Sequence, residues 1–182
     1  MAKRKTGSAR SSRRTPDAIA LLKADHREVA QWFEQFEKTR SGSRKAALAA
    51  KICTALQVHT RIEEEIFYPA FIAATEDEAL HHEAIIEHDG AKKLIAQIQA
   101  STPADEYFDA RVKVLSEMIK HHVKEEEQPG GMFAEARGAD MDLAALGQTM
   151  AARKKELMSA VGGGARRPAR SSRMEGGANA AA

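Results

Sequence analysis

Four stretches of this chain repeat apolar residues at steps of three and four, and histidine interrupts every one of the four stripes. The first runs Ile19, Leu22, His26, Val29, Phe33, Phe36. The second runs Leu48, Ile52, Leu56, His59, Glu63, Ile66, with Phe67 beside it. The third runs Ala84, His88, Ala91, Ile95, Ile98, and the fourth Phe108, Val112, Leu115, Ile119, His122, Glu126. A three-four repeat is the period of a helix that buries one face. Each helix therefore aims a histidine into the interior, and two of them add a glutamate one turn further on.

One histidine on an apolar face is ordinarily a hydrogen-bonded core residue. Four, joined by two glutamates, are another matter. Burying that many ionisable groups without compensation costs several kcal/mol each, against a total stability of about 5–15 kcal/mol. A pair of divalent or trivalent cations offsets that cost. The i, i+4 spacing of His59 with Glu63 and of His122 with Glu126 puts each pair on one helix face, about 6 Å apart along the axis. A glutamate can then bridge two metals while histidines cap them. A buried salt-bridged network without metal is the competing reading. Carboxylate and imidazole ligands suit Fe, Mn and Zn alike.

The pattern occurs twice. Asp25-His26 is matched by Glu87-His88, and Leu56, His59, Glu63 by Ile119, His122, Glu126. The chain reads as one helical hairpin used twice, with the halves facing each other across a pseudo-twofold axis. His121 lies one position off the stripe, about 100° away around the helix. Glu64, Glu65, Glu125 and Glu127 are also off it and read as a solvated acidic face. Asp25 and Glu87 either orient a ring nitrogen, as carboxylates behind metal ligands commonly do, or simply cap polar surface.

No segment alternates like a strand, and Pro and Gly fall between the periodic stretches. The expected fold is all-α: an antiparallel up-down four-helix bundle with helices near 16–40, 44–74, 76–100 and 104–127. Pro16 suits a first helical turn, and Pro69 should kink or end the second helix. A short fifth helix near 140–159 is expected to pack outside through Leu143, Leu146, Met150 and Leu157. The bundle domain is 16–159, between disordered basic tails at 1–15 and 160–182. The tails hold ten bases and one acid, which leaves 18 bases against 25 acids, about −7, for the middle of the chain. Such tails solubilise, or make a weak nonspecific nucleic-acid contact. No apolar run reaches the length of a membrane span. The lone Cys53 excludes an intrachain disulfide and a thiolate cluster, which fits a reducing cytoplasm.

The arrangement resembles the hemerythrin-like family of HHE cation-binding domains. The residues that carry the resemblance are His26, then His59-Thr60-Arg61-Ile62-Glu63, then His88, then His122-Val123-Lys124-Glu125-Glu126. The run Glu63-Glu64-Glu65-Ile66-Phe67-Tyr68-Pro69 is also similar, and the resemblance spans residues 16–158. It implies a cofactor of two iron ions, oxo- or hydroxo-bridged, held by His26, His59, Glu63, His88, His122 and Glu126. Ala84 stands where oxygen-carrying members have a further histidine, and Glu126 replaces an aspartate one residue later. Glu83 and Tyr68 are the candidates for a compensating ligand. The missing ligand shifts the implied function from oxygen carriage toward decomposing hydrogen peroxide or other small oxidants. The alternative is binding or sensing of oxygen, nitric oxide or iron without catalysis.

Overall fold

A computed structural model describes residues 15–164, a series of helices joined by short loops, with no strand among the described residues. Both basic tails, and the nucleic-acid contact expected of them, lie almost wholly outside these residues. Four long helices carry the stripes: α1 (Ala18–Lys38), α2 (Gly42–Ile62), α4 (Glu78–Gln99) and α5 (Phe108–Glu127). α2 runs through one wider, π-type turn at Glu63–Phe67 into the short α3 (Tyr68–Thr75). α6 (Met132–Gly138) and α7 (Leu143–Gly164) complete the chain. No helix among the described residues is long and apolar enough to cross a membrane.

The helix ends follow from short polar side chains that satisfy otherwise unpaired N–H groups. Asp17 accepts from Ala20 N at 2.7 Å, so α1 starts one residue after that aspartate and Pro16 stays outside it. Asp77 accepts from Ala79 N at 3.0 Å and Leu80 N at 3.1 Å at the head of α4. Asp142 accepts from Ala145 N at 2.9 Å at the head of α7.

Two features depart from the sequence reading. Pro69 does not end the helical run, which continues to Thr75. It sits just past the wide turn, at the start of α3, where its missing N–H costs little. The wide turn instead shifts the helical phase, so Phe67 and Tyr68 are fully buried and Ile66 is only half-buried. The fifth long helix is also not short. α7 has 22 residues and runs past the expected end at 159.

The core forms two apolar clusters. One holds Leu22, Ile62, Phe67, Phe71, Phe133 and Met150; the other holds Phe33, Ile52, Leu56, Ile95, Val112 and Leu115. The stripe histidines and glutamates fall, in sequence and in burial, between them. α7 lies over α1 and α2 through Met150 and Leu157, helped by half-buried Leu143 and Leu146. Its approach is close: a Cβ on Gly147 would come within 2.4 Å of the Pro16 carbonyl oxygen. α6 is brought back over the end of α5 by Gly130, at φ 79°, and by Gly131, where a Cβ would meet the Glu125 carbonyl oxygen at 2.0 Å.

Gly147→Ala should therefore destabilise the fold by about 1–3 kcal/mol, because backbone must move to admit one methyl group. Gly138→Ala has nothing within 4 Å of the new Cβ and should be close to neutral. Urea denaturation of the two variants checks this; equal midpoints would contradict it.

Candidate metal centre

All six side chains singled out on the stripes are buried and converge between the two apolar clusters: His26, His59, Glu63, His88, His122 and Glu126. The histidines meet in pairs, Nε2 to Nε2. His26 and His59 approach to 3.0 Å, and His88 and His122 to 3.3 Å. Glu63 spans the two pairs, with Oε1 3.2 Å from His59 Nε2 and Oε2 3.4 Å from His88 Nε2. Glu126 Oε2 lies 3.3 Å from His26 Nε2 and 3.6 Å from His122 Nε2. Two groups result whose ligand atoms are mutually within 4.8 Å: His26, His59 and Glu63, and Glu63, His88 and His122. Glu63 belongs to both.

Each of these four histidines has a carboxylate behind it. His26 Nδ1 donates to Glu127 at 2.8 Å, and His88 Nδ1 to Glu64 at 2.9 Å. His59 Nδ1 faces Asp25 at 3.5 Å, and His122 Nδ1 donates to Glu87 at 2.7 Å. The scheme repeats between the halves. Asp25 and Glu87 serve the histidine on the next long helix of their own hairpin. Glu64 and Glu127 serve the one across the bundle.

This outer ring fixes the chemistry of the inner one. A ring that donates through Nδ1 presents a lone pair at Nε2. Four such lone pairs face one another and two carboxylates, with too few protons to share. Glu63 Oε1 and Oε2 and Glu126 Oε2 are buried without a hydrogen-bond partner. Unpaired buried acceptors of this kind are strongly unfavourable. Cations between them resolve the conflict, so the residues present fit a metal.

Protons relieve part of the strain in the metal-free site. Burial works to lower His59, but the carboxylates of Glu63 and Asp25 outweigh it and raise the group to about 10. Burial likewise opposes His122, which Glu126 and Glu87 raise to about 9. His26 is pushed down to about 4 by burial and by the neighbouring His59 charge. His88 is lowered too, again by burial first. Each pair thus shares one proton. Burial raises both inner glutamates; the His59 charge reverses this for Glu63, which is held low, while the Glu63 charge pushes Glu126 higher still.

Tyr68 completes the interior. It is fully buried, with its hydroxyl 3.3 Å from His88 Nε2 and 3.5 Å from Glu126 Oε1. Burial and the surrounding glutamates keep it protonated. Its place depends on the wide turn after Ile62, a feature common at functional sites, which helical periodicity alone does not reveal. Glu83 is exposed and belongs to neither group of buried ligand atoms. Glu64 and Glu127, each directly following a stripe glutamate, are not the solvated acids that their place off the stripe suggests. Ala84 is buried and borders a small cleft of about 20 Å³, lined also by Glu83, Glu87, His122, Glu125 and Glu126. α6 covers the site from the side: Phe133 stacks on His26 at 5.9 Å between ring centres.

The profile described as hemerythrin HHE cation binding domain matches residues 17–129. The chain belongs to this family. Its fold is similar to that of the crystal structure of a hemerythrin HHE cation binding domain-containing protein from Mycobacterium kansasii. The TM-score is 0.68 at 24% identity, over 85% of this chain and 95% of that one. A DNA nickase of Nostoc sp. is 27% identical over 117 residues. That match takes in 64% of this chain and only 32% of the nickase.

Because imidazole and carboxylate must be deprotonated to bind a metal, uptake by this hemerythrin-like chain should expel protons. Titrating the metal-free protein with ferrous or cobaltous ions in buffers of different ionisation enthalpy should show proton release. Affinity should fall as pH is lowered from about 8 to about 6. Uptake with no proton release would contradict the ring of shared protons.

Proposed function

We propose that this chain holds two iron ions between α1, α2, α4 and α5 and uses them to handle hydrogen peroxide or another small oxidant. His26 and His59 would serve one ion, His88 and His122 the other, with Glu63 and Glu126 reaching both. The observation that carries the reading is the set of facing acceptors: four Nε2 atoms turned toward two buried carboxylates, three of whose four oxygens have no hydrogen-bond partner. Bound iron would supply a redox-active, Lewis-acidic pair.

The chain's own residues support small-oxidant chemistry. The Asp25, Glu64, Glu87 and Glu127 carboxylates hold the rings in one orientation and make Nε2 more basic. The flanking apolar clusters keep bulk water out. Tyr68 holds a proton at a hydroxyl within 3.5 Å of Glu126 and is placed to give a hydrogen bond to a small guest. Ala84 leaves room where a longer side chain would fill the interior, and a 20 Å³ cleft admits a guest about the size of one water. Two-atom guests such as peroxide, oxygen and nitric oxide are the substrates nearest that size. DNA nicking is not carried over to this chain, which matches only 32% of the nickase.

Protein purified from iron-replete cells should contain about two irons per chain and absorb in the visible when oxidised. Iron should raise the melting temperature of the wild type and not that of Glu63→Gln, since a ligand stabilises only the state that binds it. A colourless, iron-free protein would overturn the proposal. Tyr68→Phe should retain iron and consume peroxide at least about tenfold more slowly, in line with loss of a positioned proton donor. Full iron content with no peroxide consumption, and a reversible spectral change on adding oxygen or nitric oxide, would favour binding or sensing.

A further inference from the structure

Three of the four carboxylates behind the histidines are closed off on their outer side by a lysine. Lys154 pairs with Asp25, Lys23 with Glu127 at 2.7 Å, and Lys92 with Glu64 at 2.7 Å. Glu87 breaks the pattern. Its Oε2 accepts from His122 Nδ1 at 2.7 Å, and its Oε1 faces His121 Nε2 at 3.5 Å. His121 Nε2 is also 3.1 Å from Glu125 Oε1. Among the described residues, the ion-pair partners of Glu87 are these two histidines alone. Where the other three positions hold an ammonium group, this one holds an exposed imidazole and a second carboxylate.

The three side chains make a ligand set. One donor atom from each of Glu87, His121 and Glu125 lies within 4.8 Å of the others. Two carboxylates and one imidazole suit a divalent transition-metal ion and leave positions open for water. The cluster is also connected to the interior. Glu87 and Glu125 line the same small cleft as His122 and Glu126. Glu126 is only 2% exposed, and its Oε2, unpartnered, is one of the buried acceptors in the centre. Ala84 keeps that cleft from being filled.

We propose that Glu87, His121 and Glu125 form an entry site that captures a divalent transition-metal cation at the surface and passes it through the Ala84 cleft to His122 and Glu126. The inference rests on the reading that the buried centre holds cations. Glu87 links the two stations, since one oxygen faces the surface imidazole and the other the buried one. Glu83 adds a third carboxylate at the mouth of the cleft and raises the local cation concentration. The lysine-capped carboxylates at the other three positions repel an incoming cation, which makes this the open side of the centre.

The test is the rate of metal loading. Metal-free full-length protein is mixed with cobaltous ion at micromolar concentration in a stopped-flow instrument, and the visible absorption of the loaded centre is followed. The double variant His121→Ala, Glu125→Gln should reach the wild-type cobalt content at equilibrium but load at least tenfold more slowly. Glu117→Gln, which removes an exposed acid on the same helix paired only with Lys113, should load at the wild-type rate. Loading of the double variant at the wild-type rate overturns the entry site. So does equal slowing in Glu117→Gln, which would mark a general charge effect, and so does loss of equilibrium content, which would mark damage to the centre. A wild-type protein that takes up no cobalt at all overturns the functional reading itself.

Discussion

Lone pairs facing lone pairs in a dry interior are the constraint on which the rest of this structure depends. The four Nδ1 atoms are committed to carboxylates, so the four Nε2 atoms turn toward one another and toward Glu63 and Glu126. Glu63 is fully buried, and its two oxygens face only the Nε2 atoms of His59 and His88, at 3.2 and 3.4 Å. A domain of this size has a stability of about 5–15 kcal/mol and cannot carry several uncompensated buried acceptors. Positive charge has to enter, as protons when metal is absent and as cations when it is present.

The surrounding architecture serves that demand. The two apolar clusters above and below the polar layer lower the local dielectric, which strengthens any cation held between Glu63 and Glu126. Burial tends to protonate the outer carboxylates; the facing histidines outweigh it for Asp25 and Glu87, and Lys23 followed by His26 does so for Glu127, which holds all three below the usual carboxylate range. Lysines from α1, α4 and α7 steady three of the four. α7 earns its length here: Lys154 reaches Asp25, and Arg153 reaches Glu65 at 2.7 Å, so the last long helix is tied to the centre as well as to the core. α6 adds Phe133 against His26.

The helices and the inner six residues were legible because both rest on a single period. A three-four repeat states which positions are buried, and His or Glu at such a position is conspicuous. His121, one position off the stripe, is 62% exposed, as that period requires. Legibility ended where the period changes. The wide turn at Glu63–Phe67 is one residue out of register, so Ile66 was expected on the buried face that Tyr68 takes. Glu64 and Glu127 were read as solvated because they lie about 100° from their stripes. Their side chains reach sideways to a neighbouring helix, a contact fixed by packing between helices and not by spacing along one. α6 was missed because seven residues after two glycines carry too little periodicity to register.

Anomalous diffraction at the iron edge from crystals of iron-loaded protein tests the central claim most directly. The account predicts two peaks about 3.5–4 Å apart, lying between Glu63 and Glu126, one beside His26 and His59 and the other beside His88 and His122. Absence of anomalous density between those two glutamates in iron-loaded crystals would contradict it.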